Sequence, residues 1–118
     1  MSSSVLSHYK KIPSTVKIGC YSFKVEVGPS WAFQNSSELG HCNLDECAIR
    51  LSPTLSPQQL ANTFLHEVIH AIHWVYGLED TSNEERFTNE TANGLCALWQ
   101  DNPQTMDWWK SIVNMESE

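Results

Sequence analysis

The sequence has few basic residues. It contains seven Lys and Arg against fourteen Asp and Glu, which gives a formal net charge of -7. Nucleic-acid-binding surfaces neutralise phosphates with clustered Lys and Arg, and the basic residues of the N-terminal quarter are too sparse to form such a cluster: Lys10, Lys11, Lys17 and Lys24. We therefore expect no nucleic acid among the partners of the protein.

Long apolar runs are also missing. No stretch approaches the roughly 20 residues that a helix needs to span a bilayer. The N-terminal Met-Ser-Ser-Ser lacks the charged start and the apolar segment of a signal peptide. The four cysteines are irregularly spaced: Cys20, Cys42, Cys47 and Cys96. We expect a cytoplasmic protein with no membrane partner and with reduced thiols, and the sequence does not indicate its oligomeric state.

Apolar residues, by contrast, are plentiful. Hydrophobic residues make up 41% of the 118 residues and include five Trp and four Phe. A chain of this length normally forms one compact domain, and this apolar content can form a core without disulfides. We predict a single domain over residues 1–118, in which the polar residues 1–14 form a flexible arm or a short helical turn outside the core.

The pattern of apolar residues predicts an α+β fold, with a small twisted sheet of about three strands packed on helices. Residues 16–27 alternate apolar and polar positions around Gly19, which is typical of a β-hairpin. Residues 34–46 are rich in Asn, Ser, Asp and Glu and predict a surface loop. Residues 47–51 then predict a third strand.

Three helices should follow the strands. Ser56, Pro57 and Gln59 form a typical helix start with a capping box, and Gly77 should end this helix, which covers about residues 57–76. A second helix should begin at residue 84, after a cap at Ser82 or Asn83, and run to about residue 100. A third helix is predicted over residues 104–113.

The first predicted helix carries the segment His66-Glu67-Val68-Ile69-His70, which has the form HExxH. Residues four apart lie on one face of an α-helix, so His66 and His70 can bind one ion. Imidazole suits Zn²⁺, and two histidines with a carboxylate leave a fourth position for water. Glu67 projects toward that water and is the natural general base. The alternative, a core helix whose histidines only form hydrogen bonds, would bury these polar groups at a cost.

A carboxylate from the second helix is the expected third ligand, and Glu84, Glu85 and Glu90 are the candidates. The helical period predicts a buried face for that helix. This face consists of Phe87, Thr88, Thr91, Ala92, Leu95, Leu98 and Trp99. Glu84 and Glu85 lie in this face or at its edge, whereas Glu90 lies away from it.

Several other residues have metal-binding side chains. His73 follows His70 by three residues, and we interpret it as a cleft residue beside the metal rather than a ligand. The spacing of His41, Cys42 and Cys47 is not that of a zinc half-site, which favours loop and strand-end positions with Cys47 facing the core. A Cys42 thiolate that reaches the catalytic metal stays an open alternative.

The remaining cysteines and the tryptophans are predicted to pack in the core. We expect Cys20 and Cys96 to be small core residues. Trp108 and Trp109 are adjacent, so one of them should be exposed and could mark a contact surface.

The HExxH segment and the later stretch Glu85-Arg86-Phe87-Thr88-Asn89-Glu90-Thr91-Ala92 resemble the ImmA/IrrE-type metallopeptidases and related small phage-encoded metallopeptidases, over roughly residues 45–103. Their second motif reads approximately ExxANxxA. On that motif Glu85 takes the metal-ligand position, Asn89 and Ala92 match, and Thr88 replaces the usual Ala. The resemblance implies a zincin-like fold in the cytoplasm of a bacterial or phage-infected cell, with an edge strand at residues 47–51 that accepts an extended peptide.

The motif and the resemblance together predict a zinc metallopeptidase that acts on a protein or peptide substrate. His66, His70 and Glu85 would bind Zn²⁺, and Glu67 would take a proton from the metal-bound water and pass it to the leaving amine. A second hypothesis is a zinc-containing phage or prophage module that docks on a partner protein without proteolysis. A purely structural zinc domain is disfavoured, because structural sites usually close four protein ligands around the metal.

Overall fold

A computed structural model of the chain describes residues 7–29, 39–78 and 84–115, without the side chains of residues 84, 85, 88 and 89. In these ranges a four-stranded sheet packs against three helices. The strands are β1 (Thr15–Ile18), β2 (Tyr21–Val27), β3 (Gly40–Asn43) and β4 (Ala48–Leu51), and the helices are α1 (Pro57–Val75), α2 (Glu84–Asp101) and α3 (Pro103–Val113). The α+β prediction is confirmed, with four strands instead of about three.

β1 and β2 form the predicted hairpin. Their antiparallel register pairs Ile18 with Tyr21, so Gly19 and Cys20 make a two-residue loop. Gly19 has a φ of 61°, which favours glycine at the first position of such a loop. A Cβ at this position would also lie only 2.6 Å from Cγ1 of Val75 in α1.

The order of the strands corrects the prediction for residues 47–51. The sheet has the order β1-β2-β4-β3, with β4 parallel to β2 and antiparallel to β3. β4 is therefore an interior strand, and β3 is the edge strand, although its residues fall within the predicted surface loop. The burial of β3 and β4 agrees with these positions in the sheet. Ile49 and Leu51 are fully buried, as expected of an interior strand, whereas all four residues of β3 are only half-buried.

α1 begins and ends as predicted. The Ser56 hydroxyl accepts from the backbone N–H of Gln59 at 3.2 Å, and the Gln59 side chain accepts from the backbone N–H of Ser56 at 3.0 Å. Pro57 lies in the first turn, where backbone N–H groups have no carbonyl partner within the helix, so a proline there removes no hydrogen bond. Gly77, with a φ of 71°, follows the helix end. The capping prediction is confirmed at both ends.

α2 and α3 also lie where the sequence predicts them, although the proposed caps Ser82 and Asn83 fall outside the described residues. The buried face of α2 differs from the predicted one. Ala92 and Trp99 are exposed, and Trp99 retains 52% of its accessible surface, whereas Gly94 is buried. A Cβ at Gly94 would lie 2.6 Å from Cγ2 of Ile72, so the small glycine allows α1 to approach on this side.

The N-terminal segment corrects another expectation. Residues 1–6 fall outside the described residues, but Ser7–Tyr9 form one turn of 3-10 helix in which His8 and Tyr9 are buried. The Tyr9 hydroxyl donates to the Ser52 carbonyl and accepts from the backbone N–H of Leu55. The short helical turn was one of the two predicted forms of this segment. Its position in the core could not be predicted, because its hydrogen-bond partners lie more than 40 residues away in sequence.

Two expectations about single side chains are wrong. Cys20 and Cys96 are exposed and not core residues, although all four cysteines are free thiols as predicted. Trp108 is buried and Trp109 is half-buried, with its indole N–H donating to the Ala61 carbonyl at 2.9 Å. Neither is therefore the exposed member of a pair.

None of the helices in the described ranges combines the length and the apolar character that crossing a bilayer requires.

Candidate metal centre

His66 and His70 lie one turn apart on the exposed side of α1. Their Nε2 atoms are 3.1 Å apart, and their ring planes stand at 77° to each other. Two nitrogen ligands at about 2.0–2.1 Å from a tetrahedral zinc ion are separated by about 3.3 Å. The two imidazoles therefore already have the spacing that one zinc ion requires of two ligands.

The Glu67 side chain is buried, unlike the exposed side chains of His66 and His70. Only 6% of its surface is exposed, and it lies near the thiol of Cys42 in β3. Burial and, after it, the negative charges of Glu67 and Cys47 together raise the pKa of Cys42 to about 11. The carboxylate thus lies on the side of α1 that faces Cys42 of the edge strand.

The structure does not complete a ligand set. Within the ranges that it describes, no three His, Cys, Asp or Glu side chains are grouped closely enough to hold a metal ion. Glu90 is half-buried and accepts from the Asn93 side chain at 3.0 Å. The side chains of Glu84 and Glu85 fall outside the described residues, so Glu85 as third ligand stays a prediction.

His73 faces α2. Its ring centroid lies 4.4 Å from that of Phe87, and its Nε2 lies 3.4 Å from the Thr91 hydroxyl. Burial and, to a smaller extent, the nearby His70 lower the pKa of His73. The sequence placed His73 near the metal-binding face but gave no signal for these contacts, which depend on how α2 packs.

The cysteines of the β3–β4 turn lie near each other but do not form a separate metal site among the described residues. The Cys47 thiol lies 3.8 Å from the Leu44 carbonyl. Cys47 has a φ of 51°, in the left-handed region that turns often require. Both Cys42 and Cys47 pack against the core, in agreement with the interpretation of these residues as strand-end positions.

The sequence also gave no indication that β3 borders the candidate site. The peptide Gly40-His41-Cys42-Asn43 contains no alternation of apolar and polar residues, which is the usual signal for a strand. Its pairing with β4 and the packing of its face against α1 bring Cys42 beside Glu67.

Comparison with known proteins agrees with this arrangement. The chain matches the model of the SprT-like family over residues 8–95, which contain the whole sheet, α1 and part of α2. The chain belongs to the SprT-like family. This family is related to the zincin-like metallopeptidases and is generally zinc-binding, so the zincin-like fold prediction is confirmed. Comparisons with curated proteins and with solved structures gave no significant match.

The family match agrees only in part with the resemblance stated above. It supports a small zinc-protease-like protein, but it does not show membership of the ImmA/IrrE type in particular. For this SprT-like domain, the donor set of His66 and His70 on the helix after β4 is consistent with the zinc binding that is general in the family.

Proposed function

We propose that this SprT-like protein is a zinc-dependent metallopeptidase that hydrolyses peptide bonds in a protein or peptide substrate. The observation that carries the proposal is the pair of imidazoles whose Nε2 atoms are 3.1 Å apart, with the buried carboxylate of Glu67 next to His66 in sequence. A structural zinc site would have no need for that carboxylate.

In this proposal His66 and His70 hold the zinc ion together with an acidic residue of α2. Glu85 is the proposed third ligand because it takes the ligand position in the ExxANxxA motif. The helical phase no longer supports this choice, since α2 buries Gly94 and exposes Ala92 and Trp99. When bound, Zn²⁺ supplies a Lewis acid that polarises the substrate carbonyl and makes a water molecule more acidic.

The residues of the chain perform the proton transfers. Glu67 accepts a proton from the attacking water and delivers it to the leaving amine, which is general base and then general acid catalysis. Its low exposure keeps bulk water away from the carboxylate, so its charge acts in a medium of lower dielectric. The edge of β3 binds an extended substrate segment through main-chain hydrogen bonds, in the role that the family resemblance implied for residues 47–51.

Zinc analysis and Glu67→Gln test the proposal together. We expect the purified protein to hold about one zinc ion per chain, and His70→Ala to lose it. Glu67→Gln should retain zinc but lose cleavage of an unfolded protein such as casein by about 10²-fold or more, because the general base is removed.

Absence of zinc from the protein, even after zinc is supplied, would contradict the proposal. A wild-type protein that binds zinc but has no more cleavage activity than Glu67→Gln would favour the docking module instead.

The third ligand is tested by three matched variants, Glu84→Gln, Glu85→Gln and Glu90→Gln. We expect only Glu85→Gln to weaken zinc binding by about tenfold or more, because it removes a charged ligand and not a neighbouring charge. Competition with a zinc-binding dye measures the affinities. A large loss in either of the other two variants, with Glu85→Gln unchanged, would assign the ligand elsewhere.

A further inference from the structure

Gly40 lies where the edge strand β3 meets α1. A Cβ at this position would be 2.8 Å from Cγ2 of Thr63 in α1 and 2.9 Å from the carbonyl oxygen of Arg50 in β4. Among the described glycines, positive φ values occur at Gly19 and Gly77 and not at Gly40. Glycine is therefore required here for space and not for an unusual backbone conformation. Because the Arg50 carbonyl belongs to the interior strand β4, we expect a larger residue at position 40 to displace the edge strand β3.

The same contact fixes the register of β3 along α1. Gly40 and Cys42 are two residues apart and share one face of the strand, about 6.6 Å from each other. Thr63 and Glu67 are four residues apart and share one face of the helix, with a rise of about 6.0 Å between them. The two elements therefore run side by side, with Gly40 at Thr63 and Cys42 at Glu67. The electrostatic effect of Glu67 on Cys42 agrees with this register.

We infer that Gly40 is a positioning residue that sets the distance between the edge of β3 and Glu67, and so presents the backbone of an extended polypeptide segment to that carboxylate. This inference rests on the proposed function. A segment added to β3 lies one strand spacing, about 4.8 Å, beyond it. Any outward shift of β3 displaces the substrate peptide group from Glu67 by a similar distance.

A small displacement of β3 should have a large effect on the rate of peptide hydrolysis. A misplacement of about 1 Å can reduce a reaction rate by about 10²-fold when geometry is limiting. Gly40→Ala should move β3 by a fraction of that distance. Thr63→Ser removes the Cγ2 methyl that the new Cβ would meet, so it should relieve part of the displacement. The contact with the Arg50 carbonyl would persist.

The experiment uses the zinc-loaded full chain and fluorescein-labelled casein as an unfolded substrate. The four proteins compared are the wild type, Gly40→Ala, Thr63→Ser and the double variant. Binding is measured by fluorescence anisotropy in the Glu67→Gln background, and kcat and KM are measured without that substitution. We expect Gly40→Ala to lower kcat/KM for casein by about tenfold and to weaken casein binding, with zinc affinity unchanged. Thr63→Ser should match the wild type, and the double variant should recover part of the loss.

Unchanged casein binding and kcat/KM in folded Gly40→Ala would overturn the inference, as would a loss that Thr63→Ser does not reduce. Absence of casein binding by the Glu67→Gln protein would overturn it too, because β3 would then accept no extended chain. If Gly40→Ala alone does not fold, the double variant is compared with Thr63→Ser, and weaker binding by the double variant is the supporting result. Casein binding without cleavage by the wild type contradicts only the proposed function.

Discussion

At the scale of single residues, the thiol of Cys42 reports how closely β3 lies to Glu67. Burial and the charge of Glu67 raise the pKa of this thiol from 9.0 to about 11. The thiolate is the reactive form of cysteine, so at pH 8 its fraction falls from about 10% to about 0.1%.

We predict that iodoacetamide at pH 8 modifies Cys42 much more slowly than the exposed Cys20 and Cys96. The rate at Cys42 should rise with pH up to about 11. Mass spectrometry of the alkylated peptides measures each rate. Protein unfolded in guanidinium is the control, in which the three rates should converge. Equal rates in the folded protein would show that Cys42 is neither buried nor near a negative charge.

The residues of the candidate site differ in how much the sequence says about them. His66, Glu67 and His70 could be predicted because their relation depends only on the period of one helix. Gly40 and Cys42 could not, since they reach Glu67 through the pairing of β3 with β4. The third ligand could not be settled either, because it depends on the rotation of α2 about its axis. α2 packs Gly94 against Ile72 of α1, so its rotation differs from the one that the apolar pattern predicts.

At the scale of elements, helices were easier to predict than the order of the strands. The capping box of α1 is a local signal and gave the first residue of the helix correctly. The parallel pairing of β2 with β4 joins segments that are more than 20 residues apart, and no local pattern encodes it. This pairing makes β4 an interior strand and leaves β3 at the edge.

The junction between α2 and α3 gives a prediction at the same scale. The Asn102 side chain accepts from the Lys17 N–H and donates to the Lys17 carbonyl, both at 2.8 Å, and donates to the Leu98 carbonyl at 2.9 Å. We expect Asn102→Ala to lower the free energy of unfolding by about 1–2 kcal/mol, because several backbone groups lose a partner. Urea titration measures this change.

Asn114→Ala is the matched control for that prediction. The Asn114 amide donates only a longer, exposed hydrogen bond to the Lys110 carbonyl, at 3.3 Å. Its removal should change the free energy of unfolding by less than about 0.5 kcal/mol. Equal effects of the two substitutions would show that Asn102 does not connect β1 to the helices.

At the scale of the whole molecule, the N-terminal turn joins parts of the chain that are distant in sequence. His8 Nε2 lies 2.7 Å from the Leu55 carbonyl, and the Trp108 indole donates to the His8 carbonyl at 3.1 Å. The turn thereby connects the start of α1 with α3. A polar N-terminal segment gives no sign of such burial, because its hydrogen-bond partners become neighbours only in the folded chain.

Tyr9→Phe tests this connection. It removes the hydroxyl that serves both the Ser52 carbonyl and the Leu55 N–H, so we expect a loss of about 1–3 kcal/mol in the free energy of unfolding. Zinc content should not change, since the partners of the hydroxyl, Ser52 and Leu55, precede α1 and are not residues of the candidate site. Tyr21→Phe is the control, because the Tyr21 ring is 42% exposed. A similar loss in both variants would contradict the proposed connection.

The two edges of the sheet differ in what they can bind. At β1, the Asn102 amide occupies the N–H and the carbonyl of Lys17, which are the groups that a neighbouring strand would use. The Asn102 side chain thus takes the place of a neighbouring strand at this residue of β1. On the other side of the sheet, β3 is the edge strand among the strands that the structure describes. Two copies of the protein that paired through β3 would present the β1 strands at both outer edges, where Asn102 opposes the addition of further strands and growth into a fibre.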